Sequence, residues 1–372
     1  MHNMERINTR IKDEHATQLG LTLTKSKQYR ISQEQYTELQ GLRNGFDAYC
    51  DEVGINKDDV SMYWDKKSKD FSILVKPNKN KLSEEEFTDL LAEKLSNYSP
   101  KYEKLPIIPQ KTNNLLVIDI ADAHFGKLSS SYETGESYNI NIAKQRCLDG
   151  VNGIVSKGRA FGIDKVLFII GNDVLHYDNP KKTTTSGTPQ DTDVMFYDMF
   201  NTALDTHVEI IERLIQEFEV DILFCPSNHD YQSGWMFARS LSCWFRNCDR
   251  VTIDDSIAHR KYYRYGKNLI GVSHGDGAKM ADMPLHVANE VPNLWAETVF
   301  RNVYLHHIHH KQVTKFQSGK DYIGVTVEYL RSPSSSDSWH YRNGYTGAKK
   351  AIEGFVHNFD DGQIARLVHY FK

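Results

Sequence analysis

The chain has 372 residues, of which 40% are hydrophobic and 25% are charged, and its formal net charge is −4. The length suits one large domain or two ordinary ones, and the composition is that of a soluble globular protein. The net charge excludes a global basic field for nucleic acid, although a local basic groove stays open.

Nothing in the sequence predicts a membrane protein or an exported one. No stretch approaches 18 consecutive apolar residues, so we expect no membrane span and no membrane partner. The first residues, "MHNMERINTRIKDEH", lack the apolar core of a secretory signal. The five cysteines are irregularly spaced without a C-x-x-C pair, which indicates reduced thiols in a cytoplasmic compartment.

Residues 1–110 are predicted to form a small α+β module. Apolar side chains recur at three- or four-residue steps over residues 32–55, which predicts a helix with Ser32 as its N-cap. Two short strands around a polar turn are predicted to follow, and then a second helix over residues 83–98. This module could bind nucleic acid through its lysines or mediate homo-oligomerisation; a solvated hairpin is the alternative.

From residue 113 onward, short apolar runs alternate with helical stretches. Five runs suit strands that are buried on both faces: "NNLLVIDIADAH", "DKVLFIIGND", "VDILFCPSNHD", "NLIGVSHGD" and "NVYLHHIHH". Helices are predicted over residues 141–160, 193–219 and 235–247, and further strand-like segments follow from residue 322. The alternation predicts an α/β or mixed α+β layered domain over residues 111–372.

Each of the five runs ends in residues that can bind a metal ion. In chain order these ends are Asp122-Ala123-His124, Gly171-Asn172-Asp173, Asn228-His229-Asp230, His274-Gly275-Asp276 and the segment from His306 to His310. Taken singly, each end is typical of a turn or of a hydrogen-bonded histidine. Taken together they indicate a metal centre, because ligands gather beyond the carboxyl ends of strands in α/β sheets.

The ligand types indicate which ions such a centre would hold. Imidazole and carboxylate groups suit Mn, Fe, Zn, Co or Ni better than Ca, and the absence of cysteine from the set argues against a structural zinc site. Two ions about 3.5–4 Å apart can activate a water and neutralise phosphate oxygens. We expect two divalent transition-metal ions, with Mn²⁺ preferred.

The five ends resemble, in order, the motifs of the calcineurin-like metallophosphoesterase family. That pattern is D-x-H, G-D, G-N-H-[DE], H and G-H-x-H, and this chain offers D-A-H, G-N-D, S-N-H-D, H and H-H-I-H over residues 122–309. The chain also resembles phage and bacterial members of that family that are usually labelled DNA repair exonucleases. It departs from the pattern in the extra residue Asn172 and in Ser227 and His306, which stand where the family has glycine. These departures put the loop geometry in doubt.

The resemblance implies a fold and a role for each matching residue. The fold is a four-layered α/β/β/α sandwich, with the segment from residue 322 supplying strands of the second sheet. The implied ligands of the first ion are Asp122, His124 and His309, those of the second are Asn228, His274 and His307, and Asp173 bridges the two. The resemblance further implies that a metal-activated water attacks phosphorus in line, that His229 protonates the leaving oxygen and that Asp230 orients His229.

The residues around these motifs favour a phosphodiesterase that acts on DNA or on another nucleotide substrate. His176 is the last residue of a D-x-x-H segment that resembles the exonuclease branch of that family, in which this histidine assists phosphate binding. The alternative is that His176 is an ordinary loop histidine. Protein phosphatases carry G-D-x-x-D-R-G at this point, and this chain does not.

Two segments are expected to wall the substrate pocket. The first is "HYDNPKKTTTSGTPQDTD" (residues 176–193), with two lysines and a hydroxyl-rich turn, and the second is "RSPSSSDSWHYRNGYTG" (residues 331–347), in which aromatic residues cluster. The substrate-binding candidates are Lys181, Lys182, Trp339, His340, Tyr341 and Arg342, because aromatic rings beside cationic groups can stack bases and contact phosphate. A solvated Ser-rich loop is the alternative for the second segment. A phosphomonoesterase and a non-catalytic metal-binding scaffold remain alternative functions, and the setting expected is the cytoplasm of a bacterial or phage-infected cell.

Overall fold

The structure, a computed structural model, describes residues 7–11, 13–43, 100, 102, 112–308, 319–345 and 347–371. These residues belong to two compact units, one within residues 1–94 and the other within residues 95–372. The predicted strand pair that follows residue 58 and the predicted helix over residues 83–98 lie outside the described residues. In the part of the chain that the structure describes, no helix is long and apolar enough to cross a bilayer.

The described part of the first unit is a small α+β arrangement. Its elements are β1 (Ile7–Arg10), α1 (Asp13–Gln18), β2 (Gln28–Ile31) and α2 (Gln33–Arg43). The strands β1 and β2 pair antiparallel over a core that includes Ile31 and Leu39. Ser32 Oγ accepts a hydrogen bond from Gln35 N at 3.2 Å, and Ser32 N donates to Gln35 Oε1 at 3.1 Å. This reciprocal capping box confirms Ser32 as the predicted N-cap.

The second unit holds two mixed sheets. Its strands are β3 (Asn114–Asp119), β4 (Lys165–Gly171), β5 (Glu219–Cys225), β6 (Val251–Asp254), β7 (Arg260–Tyr265), β8 (Asn268–Ser273), β9 (Phe300–Leu305), β10 (Gly319–Tyr322), β11 (Val325–Tyr329), β12 (Ala351–Asn358) and β13 (Gly362–Tyr370). The six-stranded sheet has the order β13-β12-β3-β4-β5-β6, and the five-stranded sheet has the order β10-β11-β9-β8-β7. The five apolar runs are β3, β4, β5, β8 and β9, so those predicted strands are confirmed.

Parallel pairing aligns the strand ends that carry the motifs. In the six-stranded sheet β3, β4, β5 and β6 run parallel, and in the five-stranded sheet β8, β9 and β11 do. The carboxyl ends of parallel neighbours meet at one edge of their sheet. The motif residues that follow β3, β4 and β5 therefore lie side by side, as do those that follow β8 and β9.

The helices of this unit are α3 (Ser131–Thr134), α4 (Ile140–Gly158), α5 (Phe196–Leu214), α6 (Tyr231–Trp244), α7 (Met283–Glu290), α8 (Pro292–Glu297) and α9 (Ser338–Arg342). The three predicted helices correspond to α4, α5 and α6, and α4 begins at the side-chain cap of Asn139, whose Oδ1 accepts from Ile142 N at 2.9 Å.

Alternate residues of the central strands serve two different cores. Leu116 and Ile118 of β3 join the cluster formed with α4, α5 and α6, whereas Leu115 and Val117 join a cluster that contains Ile270 of β8 and Tyr304 of β9. A third cluster packs α7 and α8 against residues of β8, β9 and β11. This period-two alternation follows from strand geometry. The result is a mixed α+β fold that is compatible with an α/β sandwich.

Two features of the topology differ from expectation. The strands β6 and β7 were not predicted, because β6 alternates between half-buried and exposed residues and β7 has the polar sequence "RKYYRY". The segment from residue 322 contributes strands to both sheets, and not to the second sheet only. The strand β11 joins the five-stranded sheet, but β12 pairs antiparallel with β3 and so brings β13 into the six-stranded sheet.

Candidate metal centre

The turns that follow β3, β4 and β9 have an unusual backbone. Asp122, His124, Asn172, Asp173 and His307 have φ values between 46° and 72°, in the left-handed region that side chains rarely adopt. Asp122 N donates to Asn172 O and His124 N donates to Asp173 O, both at 2.9 Å. These bonds join the two turns, so the strained backbone is held by its neighbour. Such conformations cluster at functional sites.

The turns bring together two groups of side chains that could each hold a metal ion. The ligand atoms of Asp122, His124 and Asp173 all lie within 4.8 Å of one another, and so do those of Asp173, His274 and His307. Asp173 belongs to both groups. These five side chains come from four different strand ends, and all five are among the predicted ligands.

Asn228 completes the second group, because its Oδ1 lies 2.8 Å from His274 Nε2. The seventh predicted ligand, His309, lies outside the described residues. The donor set is therefore two carboxylates, one amide oxygen and several imidazoles, which fits the ions Mn, Fe, Zn, Co or Ni.

The carboxylate of Asp173 is divided between two tasks. Its Oδ1 accepts a hydrogen bond from His229 N at 3.0 Å. Its Oδ2 is buried, lies 3.2 Å from His274 Nε2 and 3.9 Å from His124 Nε2, and has no hydrogen-bonding partner among the described residues. A buried oxygen in this state is costly unless a cation or a proton compensates it. Its position between two imidazoles suits a ligand that bridges two ions.

Burial and mutual charge shift the pKa values of this centre. Burial raises the pKa of Asp122 to about 7 despite the neighbouring His274. Burial opposes a charged His274, but the carboxylate of Asp173 raises the pKa of this histidine to about 9. The pKa of Asp173 is lowered because His274 and His229 outweigh its burial. The chain thus compensates its buried carboxylates with imidazole protons, and divalent cations can take the place of those protons.

His229 and His176 face the centre from the side of the cleft. The ligand atoms of His124, His176 and His229 lie within 4.8 Å of one another, a grouping that the sequence did not predict. His229 Nδ1 donates to the backbone carbonyl of His176 at 2.8 Å, which holds the orientation of the ring and leaves Nε2 as the other ring nitrogen. His176 Nδ1 lies 3.2 Å from His124 Nδ1 and fixes the rotation of the two rings.

The contacts of Asp230 in the structure differ from the predicted contact with His229. Asp230 contacts Ser227 and Leu175 instead of the His229 imidazole: its Oδ1 accepts from Ser227 Oγ at 2.6 Å, and its Oδ2 accepts from Leu175 N at 2.8 Å. The two consecutive side chains precede α6 and reach different elements, so the backbone carbonyl of His176 orients His229. Burial raises the pKa of Asp230 to about 8.

Ser227, which departs from the motif pattern that the sequence resembles, has a clear contact. Ser227 Oγ accepts a hydrogen bond from Asp173 N at 2.6 Å while donating to Asp230. The hydroxyl therefore connects the turn that carries the shared carboxylate to the turn that follows β5. This link holds Asp173 in its left-handed conformation.

His306, the second residue that departs from the motif pattern, joins the two sheets. The buried His306 ring places Nε2 3.0 Å from Asp119 Oδ1 and Nδ1 3.0 Å from Ser273 O. Both ring nitrogens face acceptors, so both carry protons; burial opposes this charge, but Asp119 raises the pKa of His306. His306 N also donates to His274 O at 2.9 Å. The ring thus ties the ends of β8 and β9 to β3.

A cleft of about 540 Å³ opens above the centre. Of the predicted substrate-binding residues, Trp339 and His340 line it, whereas Lys181, Lys182, Tyr341 and Arg342 do not. Its other walls include residues of the two segments that were expected to wall the pocket, namely Thr184, Ser186, Thr188, Asp337 and Tyr345. Lys127 also lines the cleft, and the sequence reasoning missed it. Lys127 could have been noticed as the last residue of "DAHFGK", three positions beyond a ligand.

The Ser-rich segment before Trp339 is not a solvated loop. Ser332, Ser334, Ser335 and Ser336 are all buried, and Ser332 Oγ donates to Asp122 O at 2.8 Å. The segment therefore passes beneath a candidate ligand and sets the position of α9 at the rim of the cleft.

No family model and no curated protein matches this chain. Among solved structures it is similar to Vps29 from Chaetomium thermophilum, with 10% identity over 69% of this chain and 97% of that one and a TM-score of 0.27. It is also similar to a double mutant of Vps29 from Entamoeba histolytica, with 12% identity over 70% of this chain and 99% of that one and a TM-score of 0.25. Similarity at this level does not indicate an activity, so the function has to be inferred from the geometry of the site.

Proposed function

We propose that this protein is a dinuclear-metal-dependent phosphodiesterase of the calcineurin-like metallophosphoesterase type, and that DNA or another nucleotide is its substrate. The observation that carries the proposal is the shared carboxylate of Asp173, whose Oδ2 faces His124 and His274 from two ligand groups. A carboxylate can serve two adjacent ions with its oxygens, and two adjacent ions suit phosphoester hydrolysis.

We propose the four-layered α/β/β/α sandwich as the fold of residues 111–372, supported by the three clusters that separate sheets and helices. Residues 1–110 are proposed as a separate module, and the location as the cytoplasm. Bound to the ligand groups, divalent ions would neutralise phosphate oxygens and lower the pKa of a water towards neutrality.

The remaining chemistry falls to His229 and His176. His229 is held through Nδ1, so its Nε2 can carry a proton towards the cleft. As the phosphorus–oxygen bond breaks, its electron pair stays on the leaving oxygen, and that oxygen takes the proton from His229. Burial, with the neighbouring His229 adding to it, lowers the pKa of His176, which is therefore neutral and contacts phosphate as a hydrogen-bond donor.

The test compares three variants on substrates with different leaving groups. Asp173→Asn should lose bound Mn²⁺ and all activity. His229→Asn should keep its Mn²⁺ but lose about 10²–10⁴-fold in kcat on DNA, and less on bis(p-nitrophenyl) phosphate, whose leaving group needs little protonation. His286→Asn, in α7 and outside the cleft lining, is the matched control and should behave as wild type.

Each alternative function gives a different result in the same assay. Turnover of p-nitrophenyl phosphate without turnover of any diester would favour a phosphomonoesterase. Two bound ions without turnover of mono- or diesters, or of single- or double-stranded DNA, would favour a non-catalytic scaffold. Full activity of His229→Asn on DNA would refute the proton-donor role.

A further inference from the structure

Lys127 is a buried lysine in the wall of the cleft to which the proposed chemistry gives no contact with substrate. Its residue surface is 1% exposed, and its Nζ lies 3.0 Å from Asp337 Oδ2. Among the described residues that line the cleft, it is the one lysine or arginine. Within the described lining, Lys127 is therefore the side chain with a full positive charge that can attract an anionic part of a ligand away from the metal centre.

The pairing of Lys127 leaves binding capacity unused. An ammonium has three N–H donors, and Asp337 Oδ2 takes one of them. The other oxygen of Asp337 is occupied, because Oδ1 accepts from His340 N at 2.9 Å and lies 2.6 Å from His340 Nδ1. A buried ion pair contributes little net stability, since desolvation offsets most of the attraction. A role in the fold alone is thus a weak explanation for burying an ammonium beside a cleft.

An aromatic surface lies in the same wall. Asp337 is the N-cap of α9, and its carboxylate thereby connects Lys127 to Trp339. The Trp339 ring stacks on Tyr345, with ring centroids 5.6 Å apart and planes 28° apart, and Trp339 remains 61% exposed. Both rings line the cleft. An exposed indole supported by a second ring is a stacking surface for a base that is not paired.

Building on the proposed function, we infer that Lys127, Asp337, Trp339 and Tyr345 form a subsite for one nucleotide of a single strand. Lys127 donates to the phosphate next to the scissile one. Trp339 stacks on the base of the nucleoside that joins these two phosphates. Asp337 fixes the position of the Lys127 ammonium relative to the stacked rings of Trp339 and Tyr345. A cleft of about 540 Å³ accommodates an unpaired nucleotide, and base stacking on a side chain requires an unpaired base.

The test uses thymidine diesters that differ in one phosphate. One series carries the p-nitrophenyl phosphate on the 5′ oxygen, with or without a 3′-phosphate, and the other reverses the two ends. In one series, the wild-type kcat/KM should be at least tenfold higher for the substrate with the second phosphate than for the substrate without it. Lys127→Met should abolish that preference through KM, with activity on bis(p-nitrophenyl) phosphate within threefold of wild type, and Lys127→Arg should retain part of it.

Two further measurements keep the outcomes separate. Lys127→Met leaves Asp337 without its cation, so the double variant Lys127→Met/Asp337→Asn and a melting temperature for each protein control for misfolding. Calorimetric binding of thymidine 3′,5′-bisphosphate should weaken at least tenfold in Lys127→Met, and this readout needs no turnover.

The inference is overturned if wild type shows no preference for a second phosphate in either series, or if the preference survives in Lys127→Met. It is also overturned if Lys127→Met loses activity equally on every substrate, because Lys127 would then act on the scissile phosphate or on the fold. If wild type hydrolyses no diester, the proposed function fails, and the binding measurement alone decides on the subsite.

Discussion

Replacing Asp119 by leucine should destabilise the protein by about 3–5 kcal/mol, because the change leaves the His306 imidazole buried without its carboxylate. Both side chains are 0% exposed, and the Nε2–Oδ1 distance is 3.0 Å. Asp119 Oδ2 has no hydrogen-bonding partner among the described residues, so His306 is the group that compensates this carboxylate. His306→Leu should cost a similar amount for the converse reason. Either loss is a large part of the roughly 5–15 kcal/mol that stabilises a typical protein.

The double variant Asp119→Leu/His306→Leu separates the pair from its surroundings. Replacing both partners of a buried ion pair by apolar residues is often neutral. The double variant should therefore be more stable than either single variant, which gives a coupling free energy of about 3 kcal/mol or more. Urea unfolding followed by circular dichroism, in the presence of a chelator, measures the free energy of unfolding for all four proteins.

Glu217→Leu is the control, because it removes the partner of Arg159 in an exposed ion pair and should cost less than about 1 kcal/mol. The single variants should also bind Mn²⁺ about 10–100-fold more weakly, since His306 supports the strand ends that carry His274 and His307. Additive losses in the double variant, or single losses below about 1 kcal/mol, would refute the view that this pair joins the sheets.

Two further predictions rest on buried polar contacts. Ser227→Ala removes the acceptor of Asp173 N, so Mn²⁺ affinity should fall about 10–100-fold, as measured by calorimetry, while Ser240→Ala on α6 should leave it unchanged. Burial lowers the pKa of His207 to about 4, below its unfolded value of about 6.5, so the unfolded chain binds more protons between these pH values. Stability should fall by up to about 3 kcal/mol as pH drops through this window, and urea titrations of His207→Phe should show a smaller fall.

The sequence predicts the centre because its ligands follow strands whose identity is easy to infer. Runs such as that of β4 are buried on both faces, and parallel pairing brings their carboxyl ends to one edge. Once the strands are assigned, the parallel pairing of β3 with β4 brings the turns that carry Asp122 and Asp173 to the same edge of the sheet. The position of the candidate ligands is thus a consequence of topology.

Side-chain direction was harder to predict than ligand position. Whether Asp230 reaches His229 depends on the φ and ψ angles of one turn, and the motif does not encode them. The ion pair of Lys127 was not predicted for a related reason. Its partner Asp337 lies more than 200 residues away in the sequence, and no local pattern indicates such a pair. The strands β6 and β7 were missed because half-exposed strands carry little hydrophobic periodicity.

The wide spacing of the ligands along the chain has a consequence for how the protein assembles. His307 N donates to Asp122 Oδ1 across 185 residues, so the centre cannot form from any local segment. Closing a loop of that length costs entropy before its contacts offset it, which places the ligand set among the last parts of the domain to form. Ions held by this ligand set would bind only the assembled chain, so their occupancy would report whether the two sheets are docked. A variant that loosens the sheets should therefore release its ions before its secondary structure melts.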